Sequence, residues 1–353
     1  MADEEFVDLR PEGEQDKKKK KSGCLIFLIV MLSLLLVALI AVAVLMNYVF
    51  GKLGHFDNPD PSASVVMMPD ETETDPVENV EGLESVDASD VVFETVDVLE
   101  GDVINIMLIG QDRRPGEDRA RSDSMILVSL NKEKGTIQLT SFMRDLYVQI
   151  PGYLDTRLNA AYRYGGTDLM NETFKVNFGL EIDGNVMVDF DEFTEIIEIL
   201  GGVTLDISSS EAKYMNSHSD NHFNSGSNFF NAEDALTFTR MRYAAGGDYG
   251  RTDRQRRVIM AIADSFRDAD LITIFNVIDQ VLPHIVTNLS DAQIIEYATT
   301  GLSILSGGGK METFRIPQDD AHYNANIRGM AVLVPDLEMC REDLREFIYD
   351  NEG

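Results

Sequence analysis

The hydrophobic positions divide the chain into three parts, and the first part contains one long apolar run. From Ser22 to Gly51 no side chain is charged over 30 residues, and most positions are Leu, Ile, Val, Ala, Phe or Met. A helix needs about 20 such residues to cross a bilayer core, so the run predicts a transmembrane helix over residues 23–50. It is too long for a cleaved signal peptide, and no Ala-x-Ala-like cleavage site follows it. Because Lys17–Lys21 precede it, we expect a single-pass type II protein of the cell membrane, with residues 1–22 as a cytoplasmic tail.

The second part, residues 51–102, is strongly acidic. Between residues 55 and 102 it carries fifteen Asp or Glu and neither Lys nor Arg, together with four prolines. Such a composition repels itself and stays extended, which predicts an extracytoplasmic linker between the membrane and a domain. Short strand-like pieces such as Val91–Phe93 can dock on that domain.

The third part, residues 103–353, alternates between strand and helix patterns, which predicts one α/β domain. Strands are predicted at 103–109, 125–130, 136–140, 147–150, 185–188, 203–207, 311–316 and 330–334. Helices are predicted at 168–177, 253–267, 271–282, 291–305 and 336–349, and a further one is capped by Asp189 or Asp191 and ends at Gly201. The Ser-, Asn- and His-rich stretch 208–228 predicts a surface loop.

Charge and cysteine content restrict the function. The chain has 30 Lys and Arg against 61 Asp and Glu, a formal net charge of −31, which argues against a partner made of nucleic acid. Only 2 Cys are present, so a disulfide scaffold and a multi-cysteine metal site are excluded.

Arginine is distributed unevenly along this acidic domain. Residues 103–353 contain 18 Arg but 5 Lys, and six of the arginines fall within residues 240–257. A preference for Arg over Lys favours bidentate recognition of phosphate or carboxylate. On a helix, Arg251, Arg254 and Gln255 would share one face in a first turn that also attracts anions. The alternative is that these arginines only pair with the many acids of the domain.

Two acids lie beside these arginines at predicted strand ends. Asp112 follows the first predicted strand of the domain, and Asp123 precedes the second. Ligands of open α/β sheets bind at strand ends, and two carboxylates near arginines suit a diphosphate bridged by a divalent cation. Ordinary turn capping by Asp is the alternative interpretation. His218 and His222 have the spacing of zinc ligands, but no third ligand is near in sequence.

Several ordered motifs resemble those of one family, the LytR-CpsA-Psr proteins, which are wall-glycopolymer ligases of mostly Gram-positive bacteria. The stretches that carry the resemblance are 105–113, 121–128, 141–145, 157–166, 188–190, 201–203 and 239–256. The last contains Arg240-Met-Arg242 and Gly247-Asp248-Tyr-Gly-Arg251-Thr-Asp-Arg254-Gln255. The chain departs from the family at Met143, where Pro is usual, and at Ala232, where Gly is usual.

The resemblance implies a fold, a reaction and a set of site residues. The fold is an α-β-α sandwich with a central mixed sheet. The reaction moves a glycopolymer from a polyprenyl-diphosphate carrier onto a peptidoglycan hydroxyl, which forms a phosphodiester and releases polyprenyl phosphate. Asp112 and Asp123 would hold Mg²⁺ or Mn²⁺. The residues implied for catalysis or diphosphate binding are Arg144, Asp145, Arg157, Arg240, Arg242, Asp248, Arg251, Arg254 and Gln255.

Two other functions use the same sequence features. A hydrolase would cleave the prenyl diphosphate with water in place of the acceptor. A membrane scaffold would bind the glycopolymer without catalysis and would tolerate loss of Asp112 and Asp123. The general base is also open, with Asp145, Asp123 and a metal-bound hydroxide as candidates, and teichoic acid, capsule and other wall polymers all fit as cargo.

Overall fold

The computed structural model describes residues 54–55, 82–94, 96–111, 121–242, 246–267 and 271–350. The chain divides into two compact units, 1–52 and 53–353, and all described residues belong to the second unit. Within these ranges no helix has the length and apolar character needed to cross a membrane. The predicted cytoplasmic tail, the transmembrane helix over 23–50 and most of the linker lie outside the described residues.

A mixed β-sheet of seven strands forms the centre of the second unit. The strands of this sheet are β1 Gly54–His55, β3 Val103–Gln111, β4 Ser122–Asn131, β5 Thr136–Phe142, β8 Gly184–Asp189, β11 Val286–Thr287 and β12 Lys310–Ile316. Their order across the sheet is β1-β11-β8-β3-β4-β5-β12. Strands β3 and β8 are parallel, as are β5 and β12, whereas β4 runs antiparallel to both of its neighbours. The predicted α/β class with a central mixed sheet is therefore confirmed.

The described residues form eight α-helices, and those that contact the central sheet lie on both of its sides. They are α1 Ala160–Phe178, α2 Phe190–Ile199, α3 Ser209–His218, α4 Ala232–Arg240, α5 Gly247–Ser265, α6 Leu271–Val281, α7 Asp291–Ser306 and α8 Leu337–Leu344. Helix α2 begins with a capping box, in which the Asp189 carboxylate accepts from the backbone of the first turn and Glu192 accepts from the Asp189 amide.

One face of the sheet is fully packed. Met107 and Leu127 point to this face and are inaccessible to solvent. They join Phe174 of α1 and Leu344 of α8 in the largest apolar cluster of the described residues. The sequence therefore places its most complete core between the sheet and these two helices.

The opposite face is less completely covered. Alternate residues of β3 on this face, Ile104, Ile106 and Leu108, are only half-buried, although β3 is a central strand. Their partners on β4 lie on the same face, and so does Ser124, which contacts α5. Helix α7 covers part of this face, since Ile104 and Ile106 pack against an apolar cluster that includes Ile304 and Leu305. The face is therefore half-open, whereas a central strand normally buries both faces.

A second apolar cluster lies beside the sheet, around the hairpin of β9 Val203–Ile207 and β10 Gly226–Phe230. The prediction of a surface loop over 208–228 was wrong, because this stretch contains helix α3. Ser208 and Glu211 form a capping box at its start, and Met215 is buried. The Ser-x-x-Glu signal was present, but the polar composition of the stretch concealed it.

A small third layer contains a strand that the sequence pattern missed. Strand β13 His322–Ile327 pairs with β14 Met330–Pro335 and with β2 Glu84–Ser85. Its polar sequence gives little strand signal, since Ala325 and Ile327 are its only fully buried residues. Val91 and Phe93 pack against this layer, as expected for a docked piece of the acidic segment. The predicted strand at 147–150 is limited to β6 Tyr147–Val148, which pairs with β7 Thr156–Arg157.

The packed face predicts a difference between two Phe→Ala variants. Phe174 is fully buried, so Phe174→Ala should lower the free energy of unfolding by about 3–5 kcal/mol. Phe229 is 63% exposed, so Phe229→Ala should change it by less than about 1 kcal/mol. Urea unfolding followed by circular dichroism measures both, and equal losses would contradict the assigned core.

Candidate active site

The site begins where β5 ends, at the turn that carries Arg144 and Asp145. The Arg144 side chain is only 8% exposed, and its Nη1 donates to Asp123 Oδ1 at 2.8 Å. Its Nε lies 3.6 Å from Asp145 Oδ2. Asp123 lies at the start of β4, so this contact joins the start of β4 to the turn that follows the end of β5.

Asp145 also binds a second arginine. Arg157 Nη1 lies 3.4 Å from Asp145 Oδ1, and Arg157 Nε and Nη2 donate to the Ala331 carbonyl at 3.0 and 2.6 Å. Arg157 is therefore held by β14 and supports Asp145 from the side of the small third layer.

Helix α5 brings a further arginine to the same strand ends. The helix begins at Gly247, with Gly246 as its N-cap, and both glycines have positive φ, a conformation that glycine adopts without strain. Arg251 is 4% exposed; its Nη2 contacts Asp248 Oδ2 at 3.0 Å and the Asp123 carbonyl at 3.4 Å. Four residues on, Gln255 Oε1 accepts from Ser124 Oγ at 3.0 Å, which fixes this face of α5 on β4.

Two more arginines lie at the end of α4 and are exposed. The Arg240 guanidinium stacks over the Phe190 ring at 4.5 Å from its centroid, a cation–π contact that orients the planar group. Arg242 is near enough to Arg251 that its positive charge lowers the pKa of Arg251. Both guanidiniums are accessible to a ligand from solvent.

The electrostatics of the two buried arginines differ. Burial acts to lower the pKa of Arg144, but Asp145, Asp123 and Asp248 outweigh it and raise that pKa above its usual value. Burial lowers the pKa of Arg251, and the positive charges of Arg144 and Arg242 lower it further against Asp248. The Nε of Arg251 is also buried without a hydrogen-bond acceptor among the described residues. Arg251 is thus incompletely compensated, and an anion at this point would be stabilised.

Comparison with known proteins agrees with the motifs. A family model described as the LytR_cpsA_psr family matches residues 67–346. The chain belongs to the LytR-CpsA-Psr family. This places the arginine-rich strand ends within a family domain that spans most of the chain.

Named relatives support the same assignment. The polyisoprenyl-teichoic acid–peptidoglycan teichoic acid transferase TagU of Bacillus cereus is 30% identical over 229 residues, which cover 64% of this chain and 72% of the relative. The transferase of the same description named TagV, from Bacillus subtilis, is 30% identical over 287 residues, 77% of this chain and 71% of the relative. The crystal structure of B. subtilis TagV aligns with a TM-score of 0.57 at 28% identity, covering 71% of this chain and all of that chain.

Arg254 does not join the other motif arginines of this LytR-CpsA-Psr domain. It is directed towards α3, where Nη1 lies 3.5 Å from Glu211 Oε1 and Nη2 donates to the Met241 carbonyl. The expected common face with Arg251 and Gln255 holds only for those two residues. A residue three positions along a helix projects about 60° to one side and a residue four positions along about 40° to the other, so Arg254 diverges from Gln255. Arg251 also lies in the second turn of α5, since the helix begins at Gly247.

Only one of the two predicted metal ligands can be placed. Asp112 lies outside the described residues, as do Arg113, Arg114 and Arg119. Among the described residues no group of three or more His, Cys, Asp or Glu side chains is placed to hold a metal ion. His218 and His222 therefore belong to no such group. Asp123 is partly exposed, with Arg144 on Oδ1. One or two carboxylates completed by phosphate oxygens and water are a usual donor set for Mg²⁺, so Asp123 fits a metal held jointly with substrate.

One functional contact was not anticipated from the sequence. Phe190, part of a family stretch, is the platform on which Arg240 stacks, and the two residues are fifty positions apart. An aromatic residue that follows a helix cap gives no local signal of this contact.

The position of Arg254 predicts a structural role for Glu211. The Glu211 carboxylate is bonded to Arg257 at 2.8 Å and lies near Arg254, whose side chain is 2% exposed. Glu211→Gln leaves a buried guanidinium without its counter-charge and should cost about 3 kcal/mol of unfolding free energy at pH 7. The matched variant Glu181→Gln removes a carboxylate paired with the exposed Lys175 and should cost less than about 1 kcal/mol.

The lowered pKa of Glu211 also predicts how stability depends on pH, and the variant Glu211→Gln tests this dependence. Burial acts to raise the pKa of Glu211, but hydrogen bonds from Arg257 and Ser208 outweigh it and lower that pKa below 4.5. Its stabilisation is therefore complete above the unfolded pKa and is lost as the pH falls through the lower, folded value. Wild type should lose more stability than Glu211→Gln on acidification below about pH 4.5. Parallel losses in urea titrations at pH 7 and pH 3.5 would contradict this role.

Proposed function

We propose that this protein transfers a glycopolymer from a polyprenyl-diphosphate carrier to a peptidoglycan hydroxyl. The observation that carries the proposal is the cluster of Arg144, Arg240, Arg242 and Arg251 at one end of a half-open apolar sheet face. A lipid diphosphate has the same two parts, an anionic group joined to a long apolar tail. The names of the relatives, which describe teichoic acid transferases acting with peptidoglycan, favour teichoic acid as cargo.

The diphosphate would bind between the buried and the exposed arginines. The Nε of Arg251 is buried without an acceptor among the described residues. Arg242 is exposed and acts on the charge of Arg251, and Arg240, two positions before Arg242, is exposed as well. Guanidinium groups bind phosphate oxygens in pairs, and four of them stabilise the charge that spreads over a phosphoryl group in its transition state. Asp248 and Asp145 orient Arg251 and Arg144, and Arg157 holds Asp145 in turn.

The prenyl tail would lie along the half-open face of the sheet. Going along β3 from Ile104 through Ile106 to Leu108, the next residue on this face is Gly110, which pairs with Ser124. Ser124 is bonded to Gln255, one turn from Arg251. The apolar surface therefore leads directly to the arginine cluster, as a lipid diphosphate requires.

In the reaction, the acceptor hydroxyl oxygen bonds to the phosphorus that carries the glycopolymer. The bond from that phosphorus to the bridging oxygen breaks, and polyprenyl phosphate leaves with both bonding electrons. Arg144 and Arg251 stabilise the charge that develops on the phosphate oxygens. The hydroxyl proton passes to a carboxylate of the site, for which Asp123 and Asp145 are the candidates among the described residues.

We further propose that Asp123, together with Asp112, holds Mg²⁺ or Mn²⁺ when the donor binds. The metal would supply additional positive charge to the diphosphate oxygens. The part of this proposal that rests on the structure is the position of Asp123 beside Arg144 and Arg251, where a carboxylate and a phosphate can share a cation.

We also propose that residues 23–50 anchor the protein in the cell membrane, with residues 1–22 in the cytoplasm and residues 51–353 outside the cell. The uncharged run and the preceding lysines support this orientation. It would place the arginine cluster on the side of the membrane where peptidoglycan lies.

Arg251→Ala predicts a loss of lipid-diphosphate binding. A charge-assisted hydrogen bond contributes about 1.5–3 kcal/mol, so affinity should fall roughly 10- to 150-fold. Arg267→Ala removes an arginine paired with Asp264 and should leave the affinity within about twofold. A titration of prenyl diphosphate in detergent, with circular dichroism to verify folding, measures both. Equal losses would show a diffuse basic surface and contradict a shaped site.

We expect Asp123→Asn to lower the rate of polymer transfer more than it lowers the affinity for the lipid diphosphate. With Asp112→Asn it should lower the transfer rate about 100-fold or more, since charge stabilisation in the transition state is worth several kcal/mol. Prenyl-diphosphate affinity should change far less, because the arginines remain. The assay follows polymer transfer to a peptidoglycan fragment with and without EDTA, and a second arm without acceptor measures hydrolysis. Full, EDTA-resistant transfer by the double variant would falsify the metal-assisted part of the proposal.

A further inference from the structure

A tyrosine–histidine contact lies immediately behind the arginine cluster. Tyr249 is in the first turn of α5, between Asp248 and Arg251 in sequence, and its hydroxyl lies 2.8 Å from His322 Nε2. The two rings meet at an angle of 64°. His322 begins β13, so the contact joins the start of α5 to the small third layer.

The direction of this hydrogen bond follows from the second nitrogen of the histidine. His322 Nδ1 lies 2.8 Å from the Gln318 carbonyl oxygen, which can only accept. Nδ1 therefore carries the proton in the neutral ring, and Nε2 accepts from the tyrosine hydroxyl. Burial raises the pKa of Tyr249, with Arg315 acting in the opposite direction, so the hydroxyl remains a donor.

The ring of Tyr249 is fixed as well as its hydroxyl. The Arg315 guanidinium lies 4.0 Å from the ring centroid. Arg315 is itself held, since its Nε donates to the Pro317 carbonyl at 2.9 Å and its Nη2 contacts Asp319 at 2.6 Å. Tyr249 is thus bound at its ring face by Arg315, near the end of β12, and at its hydroxyl by His322, at the start of β13.

The start of α5 needs such an anchor. Its N-cap Gly246 and its first residue Gly247 both have positive φ, and no side chain caps the helix. Glycine residues allow the backbone many conformations, so the position of the first turn is not set by its own sequence. Arg251 and Asp248 project from this turn and the next one.

The same chain segment also holds the other half of the cluster. The Met143 amide donates to the Ile316 carbonyl at 2.9 Å, and the Leu333 amide donates to the Asp145 carbonyl at 2.9 Å. Residues 316–333 therefore contact the Arg144 turn through the backbone and α5 through Tyr249. One segment that contacts both groups can set the distance between Arg144 and Arg251.

We propose that Tyr249 and His322 are positioning residues that align Arg251 and Asp248 with Arg144 and Asp123 for transfer. This inference rests on the proposed function, because the alignment matters only if these groups act together on a diphosphate. A displacement of about 1 Å in a catalytic group can cost up to about 100-fold in rate, whereas ground-state binding by several arginines tolerates it. The hydrogen bond should therefore affect kcat more than KM.

The test compares four single variants and one double variant in the transfer assay. Tyr249→Phe and His322→Leu each remove the hydrogen bond and should lower kcat about 10-fold, with KM for the lipid carrier within about twofold. His322→Gln keeps an acceptor and should recover most of kcat. The double variant Tyr249→Phe with His322→Leu should be no slower than either single one, because both lose the same interaction. Tyr323→Phe, at the next residue and 51% exposed, is the matched control and should equal wild type.

The outcomes separate this inference from the proposed function. If wild type and Tyr323→Phe show no transfer, the proposed function fails. If they transfer and Tyr249→Phe is equally active, only the positioning role is overturned. Additive losses in the double variant, or a rise in KM without a fall in kcat, also overturn it. Thermal unfolding of each variant verifies that a fall in kcat does not reflect loss of the fold.

Discussion

The burial of guanidinium groups beside carboxylates is the constraint on which this structure depends. Arg144 is almost fully buried, and such a charge is tolerated in a folded protein only when partners are supplied. Of those partners, Asp123 lies in β4 and Asp145 in the turn after β5. Arg251 is brought in by a helix more than a hundred residues further along the chain. The sheet, helix α5 and the small third layer must all be in place before the cluster exists, so fold and site form together.

The two faces of the central sheet differ in role, since one stabilises the fold and the other leaves apolar surface for a ligand. One face is closed by α1 and α8 and contains the largest apolar cluster. The other leaves Ile104, Ile106 and Leu108 half-buried, a cost in hydrophobic free energy that a bound apolar chain would recover. An apolar surface that ends at partly uncompensated arginines matches an amphiphilic anion, whereas a free phosphate or a soluble sugar would use only one of these features.

Much of the fold could be predicted from residue pattern, and the exceptions have physical causes. Helices α2, α6 and α7 and strands β3, β4, β5, β8 and β12 follow apolar periodicity and were predicted within a few residues. Helices α1 and α5 begin well before their predicted starts at 168 and 253, and the two-residue strands β1 and β11 were not predicted. Helix α3 was missed because its exposed face is rich in Ser and Asn, and β13 was missed because it buries only two of its six side chains. In both, tertiary packing supplies the stability that composition does not indicate. The predicted membrane segment and Asp112 lie outside the described residues and stay predictions.

The sequence by itself determined the family, the α/β class and the set of arginines and acids that could form a phosphate site. It did so because motif spacing and apolar periodicity are local properties of the chain. Only the tertiary structure decided which of these side chains meet. In the folded protein Arg254 pairs with Glu211, Arg240 stacks over Phe190, and Tyr249 is hydrogen-bonded to His322. The direction of a side chain relative to distant elements depends on how helices and strands pack, and spacing along one helix cannot specify that.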